Sequence, residues 1–135
     1  MPGVPDILNL LSAQNDILLS IATGNFEEAG WMKLEYGGID QYFKFGGFGS
    51  DSPSRVNIVQ TAIQRGEKFL LEKIPFHQVF VIGDTEHDIN AAKVLGVKSI
   101  GVGAYHLSKD DLSKHEPDFV MDDLQNAEAF LELVR

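Results

Sequence analysis

Cysteine is absent from the 135 residues, which removes disulfides and thiolate metal sites. Long apolar runs are absent too. None approaches the roughly 20 residues that a membrane-spanning helix needs. The opening residues Met1-Pro2-Gly3-Val4-Pro5 carry neither the basic nor the apolar part of a signal peptide. A soluble, cytoplasmic protein with no membrane partner is therefore expected. Basic residues are scarce: 11 Lys and Arg stand against 20 Asp and Glu, for a net charge of −9. That balance argues against nucleic-acid binding, which needs basic patches. It would also repel a phosphorylated ligand. Any phosphate site in this chain needs local positive charge, from a metal ion or from a placed Arg or Lys.

Hydrophobic residues make up 44% of the chain, enough for one domain, 1–135, with one core. Repeats, low-complexity segments and linkers are absent. Strand-like apolar runs alternate with helical periodicity, which implies βαβ units and a largely parallel sheet. Pro5 to Gln14 reads as a helix, with Ile7, Leu8, Leu10 and Leu11 buried. Asp16 to Ala22 reads as a strand, Phe26 to Tyr36 as a helix stopped by Gly37-Gly38, and Tyr42 to Phe45 as a short strand before a flexible Gly46-Gly47-Phe48-Gly49. Asp51-Ser52-Pro53 opens a longer helix, with a capping residue before a first-turn proline. Its buried stripe is Val59, Ala62, Ile63 and Leu70. Val79 to Ile82 is a strand, Glu86 to Leu95 a helix closed by Gly96, and Val97 to Val102 a strand. Lys109 to His115 reads as a short helix, Asp118 to Met121 as a last strand, and Leu124 to Val134 as the terminal helix.

The most informative stretch is Val79-Phe80-Val81-Ile82-Gly83-Asp84-Thr85-Glu86-His87-Asp88. An unbroken apolar run reads as a buried parallel strand. Open α/β sheets place their ligands at the carboxyl ends of such strands. Two carboxylates there, Asp84 and Asp88, with no Lys or Arg between them, are hard oxygen ligands suited to Mg²⁺. The same residues also fit a capping box of Thr85 and Asp88 that carries no chemistry.

Thr23-Gly24-Asn25 follows another apolar run and opens a helix. A hydroxyl with exposed N–H groups at a helix start suits an anion, although Asn25 could serve as an ordinary cap. Arg55 lies in the first turn of its helix, where a cation opposes the helix dipole. A neighbouring anion would offset that misplacement. His77, His87, His106 and His115 lack metal-ligand spacing and read as surface or turn residues. Tyr42, Phe43, Phe45 and Phe48 read as core and loop packing.

In this order the pieces resemble the haloacid dehalogenase superfamily, most closely its phosphoglycolate-phosphatase-like branch, over essentially the whole chain. Pro2-Gly3-Val4 is similar to the segment that re-enters the core after the helical cap. Ile21-Ala22-Thr23-Gly24-Asn25 resembles the second motif, Arg55 the basic third motif and Val81 to Asp88 the fourth. The resemblance implies an α/β three-layer sandwich with a parallel, Rossmann-like sheet. It implies substrate binding by Thr23, Gly24 and Asn25, a catalytic role for Arg55, and Mg²⁺ held by Asp84 and Asp88. The function implied is Mg²⁺-dependent hydrolysis of the phosphate monoester of a small phosphorylated metabolite. A 2-haloacid dehalogenase and a non-catalytic binding or assembly module are the alternatives.

The family's first motif, Asp-x-Asp at the end of a strand, does not occur in this sequence. The chain is therefore expected to be the later part of a core domain, truncated at the N-terminus and inactive alone, without cap, nucleophile or central strand. Loss of that strand would leave the Asp16–Ala22 and Val79–Ile82 edges unpaired. Direct pairing of the two is the favoured resolution. A homodimer through exposed strand edges is a second, and marginal solubility a third.

Overall fold

A computed structural model describes residues 3–103 and 107–135. Met1, Pro2 of the segment read as re-entering the core, and His106 lie outside the described residues. The fold is α/β, with every strand pair parallel. Two compact units are formed: Leu11–Lys73, and the first ten residues with Ile74–Arg135. Each helix expected from sequence is present. They are α1 (Val4–Ser12), α2 (Glu27–Tyr36), α3 (Arg55–Leu70), α4 (Glu86–Leu95), α5 (Lys109–Ser113) and α6 (Ala127–Val134). Among the described residues, no helix is long and apolar enough to cross a membrane.

In the larger unit, β3 (Phe80–Gly83), β4 (Lys98–Val102) and β5 (Phe119–Met121) form a sheet in the order β3-β4-β5. Ile82 pairs with Ile100, and Gly101 with Val120. The central strand is buried through Ser99, Ile100, Gly101 and Val102. Helices α4 and α5 meet over it: Ile89 Cδ1 and Leu112 Cβ each lie 3.5 Å from the position of a Cβ on Gly101. Ile89, Ala92 and Leu112 are accordingly lost to solvent. Ser99, the one buried polar residue of the described core, is satisfied across the ladder. Its N–H donates to Asp118 Oδ2 at 2.8 Å, and its Oγ accepts from Asp118 N at 3.0 Å. Gly96 closes α4 in the left-handed region (φ 76°), where its N–H and that of Val97 reach back to the last turn.

In the smaller unit, β1 (Ile21–Ala22) pairs with β2 (Gly46–Gly47), and α3 packs over both. The strand expected over Asp16–Ala22 is thus only two residues long. Apolar character makes the run extended, but a ladder exists only where a partner backbone lies alongside. The strand expected over Tyr42–Phe45 is displaced: Asp40–Tyr42 is a 3₁₀ turn, and pairing falls on the two glycines read as a flexible loop. The reason is close approach. A Cβ at Gly46 would sit 2.5 Å from Ile21 Cγ2, and one at Gly47 would overlap the Ile58 carbonyl oxygen of α3.

Helix α3 starts at Arg55, with Ser54 and not Ser52 as its cap: Ser54 Oγ accepts from Asn57 N. Proline 53 therefore lies before the helix. The buried stripe is Ile58, Val59, Ala62 and Gly66. Leu70, expected inside, is exposed at the helix end. Phe48 is 1% exposed and stacks on Trp31 at 5.7 Å, while Phe45 packs on Phe69 at the same distance. Phe45 and Phe48 of the aromatic cluster thus serve packing, as its pattern suggested.

Among the described residues, the direct pairing expected between the Asp16–Ala22 and Val79–Ile82 runs is not formed. β1 pairs with β2 and β3 with β4, in two separate sheets. Each strand takes the neighbour that its own βα connection brings alongside.

Candidate functional site

The smaller unit brings Thr23, Gly24, Asn25 and Arg55 together. Thr23 follows β1 directly, and its N–H donates to Gly47 O at 3.1 Å, so the ladder fixes where the loop begins. Asn25 does not cap α2. The cap position is Phe26, without a side-chain bond. The amide instead turns back on its own loop. Asn25 Nδ2 donates to Thr23 Oγ1 at 2.9 Å, and Asn25 N donates to the same oxygen at 3.2 Å. A hydroxyl has two acceptor lone pairs and one hydrogen. With both lone pairs engaged, Thr23 has only its O–H left to offer. Among the described residues it donates to no neighbour, so the group is set to donate to an incoming acceptor. Arg55 Nη2 lies 3.8 Å from the position of a Cβ on Gly24. The guanidinium therefore lies against Gly24, the residue after Thr23, and a side chain at residue 24 would touch it.

Three residues that the sequence reading did not single out hold this loop. Ser50 Oγ accepts from Glu27 N at 3.0 Å, supplying from another segment the cap that α2 lacks. Gly49 N donates to Asn25 O at 2.7 Å. Asp51, read as part of a helix start, is the acceptor of a two-pronged ion pair. Arg65 Nη2 and Nη1 reach its Oδ1 and Oδ2 at 2.7 and 2.9 Å. Asp51 Oδ2 also accepts from Phe48 N at 2.9 Å, and Arg65 Nη1 donates to Gly46 O at 2.6 Å. The Arg65 hydrogen bonds hold the Asp51 carboxyl below its usual range, with the Phe48 N–H assisting and burial opposing. The same pairing raises Arg65. No sequence spacing announces this pair, because its members meet only when the β2 loop folds over α3. Lys33, on α2, donates to Asn25 Oδ1 at 3.1 Å. No sequence signal singles it out.

In the larger unit, Asp84 and Asp88 flank the start of α4, directly after β3. The capping box weighed for Thr85 and Asp88 is not formed. Thr85 sits at the cap position without a side-chain cap bond, and its hydroxyl donates to Asp88 Oδ2 at 2.9 Å. A true capping box closes α5 instead, between Ser108 and Asp111. The Asp88 side chain folds back over Gly83, where a Cβ would lie 2.5 Å from Asp88 Cβ and overlap its carboxylate. The glycine thus lets a carboxylate rest against the strand end beside Asp84. The pair is a hard oxygen set of the kind Mg²⁺ accepts together with waters and phosphate. Among the described residues, no group of three or more His, Asp or Glu is placed to hold a metal ion by itself. His87 is exposed, with its Nε2 3.7 Å from Glu86 Oε1.

Residues 1–102 match the family model described as haloacid dehalogenase-like hydrolase. A phosphoglycolate phosphatase of Pseudomonas fluorescens is 29% identical over 127 residues, which is 92% of this chain and 44% of that protein. Among solved structures, a haloacid dehalogenase-like family hydrolase from Streptococcus pneumoniae is similar with a TM-score of 0.83 at 20% identity, over 97% of this chain and 59% of its own. A predicted phosphoglycolate phosphatase from Haemophilus somnus gives a TM-score of 0.76 at 20% identity, over 99% and 56%. These likenesses establish the fold. The chain spans less than half the length of the curated relative it matches.

Proposed function

The chain belongs to the haloacid dehalogenase-like hydrolase family, and from that premise we propose that its residues form the phosphoryl- and metal-binding part of a Mg²⁺-dependent phosphate-monoester hydrolase acting on a small phosphorylated metabolite. The observation that carries this reading is the Thr23 hydroxyl, both of whose lone pairs are engaged by Asn25, with the Arg55 guanidinium against the adjoining residue Gly24. A donor and a cation at one turn suit a phosphoryl oxygen. They supply the local positive charge that a chain of net charge −9 needs before it can hold an anion.

Each group has a task in such a reaction. Thr23 donates to a phosphoryl oxygen and orients it. Arg55 counters the negative charge on the transferring group. Gly24 keeps the turn bare, so an anion can approach the backbone. Asp84 and Asp88 are the residues that would hold Mg²⁺, Asp88 oriented by Thr85. Bound there, the ion would supply Lewis-acid positive charge. None of these groups is the attacking carboxylate that the resemblance implies, so the chain alone binds and does not turn over.

The test is NMR titration of the chain with inorganic phosphate, without and with Mg²⁺. Shifts should centre on Thr23–Asn25 and Arg55, and on Asp84 and Asp88 when Mg²⁺ is added. Thr23→Val and Arg55→Met should each weaken phosphate binding about tenfold, the loss of one charge-assisted hydrogen bond. Phosphate affinity unchanged in both variants would refute the reading.

A further inference from the structure

The Asn25 amide can face Thr23 in two ways, and they have opposite consequences. With Nδ2 toward Thr23, the threonine oxygen accepts and its hydrogen is free to donate outward. With Oδ1 toward Thr23, the hydroxyl would donate to the amide and have nothing left for a ligand. The choice is made eight residues away. Lys33 Nζ lies 3.1 Å from the Asn25 side chain, and an ammonium group has three donors and no acceptor. The atom facing it must be Oδ1. That leaves Nδ2 to donate to Thr23 Oγ1 at 2.9 Å.

We propose that Lys33 is a positioning residue that makes Thr23 an outward donor by fixing the orientation of the Asn25 amide. The proposal rests on the phosphoryl-binding reading above and deepens it. It assigns Lys33 a role through hydrogen-bond polarity, and not as a second cation that touches the anion. Lys33 occupies the exposed face of α2, where no core contact explains it. The relay runs from ammonium to amide to hydroxyl, and each link leaves the next with one remaining option. Hydrogen bonds arranged in series polarise one another in the same sense.

Titration with inorganic phosphate separates the relay from simple charge through a double-mutant cycle of Lys33→Met and Thr23→Val. In the natural background, Lys33→Met should weaken phosphate binding about fivefold, the value of one hydrogen bond. In the Thr23→Val background it should have no effect, because no hydroxyl remains to orient. Lys33→Arg, whose side chain is also donor-only, should restore binding. Without any anion, the Asn25 side-chain NH₂ protons should be distinct in shift and slow to exchange in the natural protein and in Lys33→Arg. They should lose both properties in Lys33→Met. Equal losses from Lys33→Met in both backgrounds would overturn the relay and leave Lys33 as a plain charge. An Asn25 NH₂ signature unchanged in Lys33→Met would overturn it also. If Thr23→Val itself binds phosphate normally, the phosphoryl reading fails, and the relay's role in ligand binding falls with it.

Discussion

Substitution of Gly47 by alanine tests the packing that supports the Thr23 loop. A Cβ at this position would overlap the Ile58 carbonyl oxygen and lie 3.0 Å from its carbonyl carbon and 3.2 Å from Ile58 Cγ2. The obstacle is helix backbone, which cannot rotate aside as a side chain can. To bring the tightest contact, with the Ile58 carbonyl oxygen, back to about 3.5 Å, α3 must back away from β2 by roughly 1.5 Å. Ile58 and Val59, 2% and 4% exposed, would then lose close packing. Overpacking of this kind costs about 1–3 kcal/mol. Here the upper part of that range applies, because backbone must move. A more restricted unfolded chain offsets about 0.4–1 kcal/mol. The net expectation is a loss of about 2 kcal/mol. The assay is built in: the single tryptophan, Trp31, stacks on Phe48 next to the substituted residue, so its fluorescence reports this unit. With a urea m-value of about 1–3 kcal/mol/M, the midpoint should fall by about 1 M. Gly37→Ala is the control. Its Cβ meets nothing closer than 3.5 Å and its φ is −79°, so its midpoint should hold or rise slightly. A Gly47→Ala midpoint equal to the natural one would refute the close approach of β2 and α3.

Two further substitutions follow from the same geometry. Gly83→Ala should push the Asp88 carboxylate off the end of β3 and break its bond from Thr85; a Mg²⁺ titration should show weaker binding than in the natural chain, and unchanged binding would remove Asp88 from the metal site. Asp51→Asn should remove a pH-dependent contribution. The Asp51 carboxyl is held below its ordinary value mainly by Arg65, so its stabilisation is complete above the unfolded value of about 3.9 and disappears as pH falls through the lower folded value. Arg65 is 39% exposed, and after allowance for solvent screening the effect is at most about 1 kcal/mol at neutral pH. Trp31-monitored urea midpoints of the natural chain and Asp51→Asn should differ at about pH 6, and the gap should narrow progressively as pH falls below the unfolded value and through the lower folded one. A constant gap would show that the ion pair is not its source.

The sequence by itself determined the α/β class, the six helices and the three strands of the larger unit. Apolar periodicity, capping residues and Gly96 are local signals, and these elements obey local rules. It also marked Thr23, Arg55, Asp84 and Asp88, because each stands where an apolar run ends or a helix begins. The motifs those junctions form carried the family resemblance. Tertiary structure decided what depends on partners distant in the chain. A strand needs a neighbour, so Asp16–Ala22 shrank to Ile21–Ala22, and its ladder fell on Gly46–Gly47, whose missing side chains admit α3. The polarity of the site was likewise decided in three dimensions. Asn25 looked like a helix cap and is the partner of Thr23. Lys33, which had no role in the sequence, faces Asn25. Asp51 looked like a helix start and is clasped by Arg65. Asn25 and Asp51 each satisfy a generic local role on paper. Which role a side chain takes depends on the nearest donor or acceptor in space, and sequence distance does not encode that.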